Sequence, residues 1–133
     1  MYTILIVDDE RPAQTFIKAI CQKYCPAFDT ILLSGSADDA LRLMAQQHVH
    51  VLVTDISMPG INGIELAQRV RQLYPRTHTV IVSGYAEFEF ARGAIQAGEL
   101  KYRVAGDNHC MIIRVSGKFS TESAKRSTRK RTT

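Results

Sequence analysis

Three apolar runs, each ending in acid or hydroxyl residues, constrain this chain more than any other feature. Ile4-Leu5-Ile6-Val7 runs into Asp8-Asp9-Glu10, Val53-Thr54 into Asp55, and Val80-Ile81-Val82 into Ser83-Gly84. Strand-length apolar runs without polar alternation belong to strands buried on both faces. If the three runs are neighbouring parallel strands, Asp8, Asp9, Asp55 and Ser83 meet at one edge of a sheet.

The segments between the runs support that arrangement. Strands are expected at 3–7, 30–33, 49–54 and 79–82, and helices at 11–24, 63–73 and 87–97, with a further helix after Ser36. Pro12 suits a first helical turn, and Phe16, Ile17 and Ile20 share one helical face. Ser36 stands where an N-cap belongs, ahead of Asp38 and Asp39, and Ala40, Leu41, Met44 and Ala45 form the apolar face that follows. Ile64, Leu66, Ala67 and Val70 point the next helix inward, Pro75 stops it, and Gly98 closes the last one. Strand–helix alternation with short connections predicts an α/β fold: a parallel sheet covered on both faces, with right-handed crossovers. Ligands of such sheets bind outside the carboxyl ends of the strands, where Asp8, Asp55 and Ser83 lie.

Three carboxylates held close together repel, so at least one would resist ionising unless a cation joined them. A hard, oxygen-seeking ion such as magnesium resolves the conflict, since it binds through one or two carboxylates plus waters and phosphate oxygens. Asp55 is the candidate nucleophile, because a carboxylate can attack phosphorus to form an aspartyl phosphate. Ser83 offers a hydroxyl to a phosphoryl oxygen, and Gly84 lets backbone approach closely.

Composition narrows the remaining classes. No apolar stretch is long enough to span a bilayer and no secretory signal is visible, so the expected location is the cytoplasm without membrane association. Cys21, Cys25 and Cys110 form no CxxC pair, which argues against a disulfide framework or a structural zinc site. His48 and His50 bracket Val49 and are expected as a surface pair, not metal ligands. The net charge of +4 hides a division: from Arg114 onward seven basic residues face one acid, +6, so residues 1–113 carry −2.

Taken together, Val7-Asp8-Asp9-Glu10, the Asp55-Ile56-Ser57-Met58-Pro59-Gly60-Ile61-Asn62-Gly63 stretch and Ser83-Gly84-Tyr85-Ala86 resemble the receiver domain of two-component response regulators, clearly to about residue 98. The resemblance implies a flavodoxin-like, doubly wound parallel sheet of order 2-1-3-4-5. It implies a phosphorelay step in which a histidine kinase passes a phosphoryl group to Asp55. Mg2+ would be held by Asp8, Asp9 (chiefly Asp9), Asp55 and the backbone carbonyl of Ser57, with Ser83 as switch hydroxyl. The run 83–91 further resembles receivers that precede an AraC-type DNA-binding domain, an output for transcription regulation that this reading expects to be absent from these residues. A receiver homodimer is compatible with the resemblance.

The pattern breaks after Gly98. The family continues into a fifth strand ending in Lys-Pro and then a fifth helix, and the lysine is expected near position 105, where Ala105 and Gly106 stand. Tyr102 occupies the place of the family's switch aromatic. Residues 105–109 read as turn-like, 110–115 as a strand of sorts, and 116–133 as a basic polar segment too poor in apolar residues to order itself. The expected organisation is therefore a receiver domain over 1–104 and an atypical basic tail over 105–133, as a frameshift or a replaced C-terminus would leave. Lacking a fifth strand and helix, strand four would keep a bare edge and the first helix layer would expose apolar residues.

Competing readings are fewer. An aspartate-nucleophile phosphatase of the haloacid dehalogenase kind needs an acid two residues after the nucleophile, where this chain has Ser57. A phospho-acceptor and not a turnover enzyme is expected. A truncated or phosphorylation-independent interaction module is the alternative that the missing lysine keeps open. The basic tail offers nucleic acid a weaker site, since no aromatics lie between its charges to stack on bases.

Overall fold

The structure, a computed structural model, describes residues 2–84, 87–89, 92–93, 102–106 and 111–115. Tyr85, Ala86, Gly98, Cys110 and residues 116–133 lie outside the described residues, as does much of the helix expected over 87–97, of which 87–89 and 92–93 are helical.

The elements run β1 (Tyr2–Val7), α1 (Arg11–Tyr24), β2 (Phe28–Ser34), α2 (Ala37–Gln46), β3 (Val51–Asp55), α3 (Gly63–Leu73), β4 (His78–Ser83), β5 (Tyr102–Gly106) and β6 (Met111–Val115). Local chemistry sets the helix starts. Pro12 lies in the first turn of α1. The Ser36 hydroxyl accepts the Asp39 N–H at 3.1 Å ahead of α2, and the Asn62 side chain accepts the Glu65 N–H at 2.9 Å ahead of α3.

β1 pairs in parallel with β2 and β3, and β3 with β4. The sheet order is β2-β1-β3-β4-β6-β5. The doubly wound, flavodoxin-like arrangement is thus present, with its first four strands in the expected order 2-1-3-4. Beyond β4 the structure departs from the sequence reading. β6 takes the place beside β4 and pairs with it antiparallel, Ile81 opposite Ile113, while β5 stands outside it. β5 therefore keeps the direction of a fifth parallel strand but is displaced one place outward. Four residues separate β5 from β6, enough for an antiparallel connection and too few for a parallel crossover. Two expectations are corrected by this: β4 has no bare edge, and Ala105 and Gly106 are strand residues; β5 runs across position 104, and the strand expected over 110–115 is present as 111–115.

The two faces of the sheet are covered unequally. On one, Leu5, Val7 and Leu52 pack against Ala40 and Met44 of α2 and Leu66 and Val70 of α3. Farther along that face Ile81 and Ile113 meet Ile64, Ala67 and Phe88. On the other, Ile4, Ile6 and Val53 pack against Ile17 and Cys21 of α1. On and beside α1 large apolar side chains remain open: Phe16 is 66%, Ile20 41% and Ile112 45% exposed. Cys21 is buried and Cys25 half-buried, and both are free thiols.

Candidate functional site

The carboxyl ends of β1, β3 and β4 bring the chemistry together. Carboxylate oxygens of Asp8, Asp9 and Asp55 all lie within 4.8 Å of one another. Asp8 is buried, Asp55 half-buried and Asp9 exposed. Ser83 is buried and lines the same cleft as Asp8 and Asp55, with Gly84 and Glu87. Three of the expected residues thus share one cleft, and Asp9 stands at its acidic edge.

Asp8 and Asp55 are held by backbone. Asp8 Oδ1 accepts the Glu10 N–H at 2.9 Å, and Asp55 Oδ1 accepts the Ile56 N–H at 2.8 Å. The buried Gln14 amide donates to the Asp8 carbonyl at 2.6 Å and the Ser34 carbonyl at 3.1 Å, tying the ends of β1 and β2 to α1. Thr54, fully buried, donates its hydroxyl to the Asp55 carbonyl at 2.9 Å. The loop after β3 turns at Gly60, whose φ of 78° suits glycine. It returns at Gly63, whose N–H donates to the Ile56 carbonyl at 2.8 Å. A Cβ on Gly63 would meet the Asp55 carbonyl oxygen at 1.9 Å, so only glycine permits this approach.

The electrostatics are those of a cation site. Burial, then the charges of Asp8 and Glu87, push the Asp55 carboxyl from its ordinary 3.8 up to about 6; the Ile56 N–H opposes the shift and Asp9 adds to it. Burial also raises Asp8, with Asp9 and Glu87 adding to it against the Glu10 N–H. Among the described residues, no lysine or arginine lines the cleft to relieve this. The donors are hard carboxylate oxygens, and the acids gathered here favour ionisation only with a cation beside them, so the residues fit a magnesium ion.

Ser57 is exposed in the loop beyond Asp55. The Ser83 hydroxyl donates to the Gly84 carbonyl at 2.8 Å. Tyr102 begins β5, its Cα paired with Val115 at the sheet end remote from Asp55. His48 and His50 form a T-shaped ring pair at 4.2 Å near the opposite sheet end, and His50 Nδ1 accepts the Thr3 N–H at 3.0 Å. Gln14, Glu87 and Gly63 were not singled out for the site from sequence, though the glycine of the Asp55–Gly63 motif carried a signal.

Residues 4–102 match the response regulator receiver domain family, and the chain belongs to it. It is a receiver domain of two-component response regulators, and such domains are not in general turnover enzymes. It is 30% identical over 113 residues to the transcriptional regulatory protein YesN of Bacillus subtilis, covering 85% of this chain and 31% of YesN. It is likewise 30% identical over 119 residues to the transcriptional regulatory protein HptR of Staphylococcus aureus, covering 90% of this chain and 46% of HptR. The chain therefore spans less than half the length of these relatives. Among solved structures, it is similar to a two-component transcriptional regulator AraC from Clostridium phytofermentans, at 32% identity and TM-score 0.63, with 72% of this chain and 74% of that one covered. It is also similar to the response regulator TrrA of Thermotoga maritima in complex with Mg2+ and BeF, at 26% identity and TM-score 0.61, over 68% and 76% of the two chains. Among the described residues, no helix is long and apolar enough to cross a membrane.

Proposed function

We propose that Asp55 accepts a phosphoryl group from a histidine kinase and that the acceptance serves to control transcription. The observation that carries this reading is the meeting of Asp8, Asp9 and Asp55 within 4.8 Å at the carboxyl edge of the sheet. The Ile56 N–H fixes Asp55 Oδ1 and so orients the carboxylate, leaving Oδ2 to attack phosphorus. A bond forms between Oδ2 and phosphorus, the bond from phosphorus to the kinase's phosphohistidine nitrogen breaks, and the imidazole keeps its electron pair. Asp8, Asp9, Asp55 and the Ser57 carbonyl would hold Mg2+, which when bound offsets charge on the phosphoryl oxygens. Ser83 supplies a hydroxyl beside the acceptor once it turns from the Gly84 carbonyl. The chain accepts phosphate once and does not turn over substrate, and its place is the cytoplasm, where kinase and ATP meet.

Incubation with Mg2+ and acetyl phosphate tests this, with an intact-mass gain of one phosphoryl group that is acid-stable and base-labile. The gain is expected in the wild type and not in Asp55→Asn. A folded wild-type protein that takes up no phosphate favours the second reading, a phosphorylation-independent interaction module. That reading draws support from one observation, the cleft without a lysine or arginine among the described residues.

A further inference from the structure

The face of the sheet that carries α1 holds an open groove. Among the described residues, α1 is the one helix on this face, and it contacts β1 and β2. The groove beside it, of about 440 Å³, is floored by Val53, Val80 and Val82 and walled by Phe16 and Ile20 on one side and Ile112 on the other. Its mouth is acidic, with Asp8, Asp55 and Glu87. On α1, Phe16, Ile20 and Tyr24 follow one another four residues apart, so they form a single stripe, and all three are exposed. Lys23 lies on the same face at the far end of the helix, its ammonium 5.3 Å from the centre of the Tyr24 ring. The surface thus presents an apolar ridge beside an apolar groove, with a cation at one end of the ridge and acids at the opposite end of the groove.

We propose that the occupant of this groove is a second copy of the chain, in a two-fold dimer with antiparallel α1 helices. A two-fold interface must be self-complementary, and this one is. With the axis near the middle of α1, Phe16 faces the partner's Ile20, each ridge enters the other groove, and the partner's Lys23 reaches the mouth at Asp8, Asp55 and Glu87. Both halves of the contact, apolar and ionic, are made twice. The chain's own residues 116–133 are a poorer occupant. They leave from Val115, which pairs with Thr79 at the end of β4 remote from the acids, and they hold one large apolar side chain, Phe119. The groove opens into the cleft of Asp8 and Asp55, but the proposal does not require that Asp55 accept phosphate, and sedimentation without Mg2+ or phosphodonor tests it separately.

Sedimentation of the full chain across a concentration series tests it. The wild type is expected to form a reversible dimer. Ile20→Glu should weaken it about a hundred-fold, since the interface carries each substitution twice. Lys23→Glu, at a site exposed enough to leave folding intact, should also weaken it, and adding Glu87→Lys should restore it. Thermal melts establish that each variant is folded. A wild type that stays monomeric throughout would overturn the proposal, as would a dimer indifferent to both Ile20→Glu and Lys23→Glu. So would hydrogen exchange showing the groove protected in a monomer by residues 116–133.

Discussion

Gly63 packs its backbone directly on that of Asp55: a Cβ at Gly63 would lie 1.9 Å from the Asp55 carbonyl oxygen and 2.8 Å from its carbonyl carbon. Both obstacles are backbone, so neither can swing aside as a side chain would. Gly63→Ala is expected to destabilise the fold by about 3 kcal/mol, the upper part of the range for overpacking. It should also displace Asp55 and slow its phosphorylation. Urea unfolding measures the first effect and acetyl phosphate labelling of the folded fraction the second. A stable, fully reactive variant would show that the loop after β3 relaxes freely.

The Asp55 carboxyl predicts a pH dependence. Its folded value, about 6, is above the ordinary 3.8, so between these values the folded state binds more protons than the unfolded one. Stability from this group is therefore complete below about pH 4 and is lost as pH rises through about 6. Asp55→Asn removes the loss. The variant should be the more stable by about 1 kcal/mol at pH 8, after discounting for partial solvent exposure, and the difference should vanish near pH 4. Urea titrations at the two pH values check this. Added Mg2+ should stabilise the wild type at pH 8 and have little effect on the variant.

How much of this was legible in the sequence depends on the range of the interactions. The extent of α1, the Ser36 cap and the inward face of α3 follow from signals within a few residues, and the structure bears them out. Asp8, Asp9 and Asp55 were legible because parallel strands bring their carboxyl ends to one edge. The far side of β4 was not. A five-residue run such as 111–115 does not specify its neighbour, and only the short link to β5 makes it an antiparallel insert. Gln14 was hidden for a related reason. Nothing in its surroundings on α1 tells that its amide reaches the ends of two strands.

Gln14 yields a third prediction. Its amide serves the carbonyls of Asp8 and Ser34 from a site 8% exposed. Ser34 keeps a second donor, the Asp8 N–H at 3.0 Å, whereas no other donor to the Asp8 carbonyl is seen among the described residues. Gln14→Leu, close in size and without the amide, should cost about 1–3 kcal/mol for a buried carbonyl left unpaired. The end of β1 should loosen with it, so the midpoint of magnesium-dependent thermal stabilisation should move to higher metal concentration. Unchanged Mg2+ dependence would confine Gln14 to a structural role.

The cleft lining, which holds no basic residue among the described residues, gives the fourth. Ile112 lies opposite Val82 on β6, lines the cleft with Asp55 and is 45% exposed. Its solvent access lets a lysine keep its ammonium in water while the stem covers the sheet. Ile112→Lys should cost about 0.5 kcal/mol or less, the usual range for surface substitutions. The added cation opposes Asp8 and Glu87, so it should lower the Asp55 pKa and draw an anionic donor to the cleft. The expected result is a several-fold faster gain of phosphate from acetyl phosphate at low salt, fading as ionic strength rises. Ile112→Gln, of similar shape and uncharged, separates charge from polarity. If both variants gain phosphate at the wild-type rate, a cation at this point of the sheet is not what limits acceptance by Asp55.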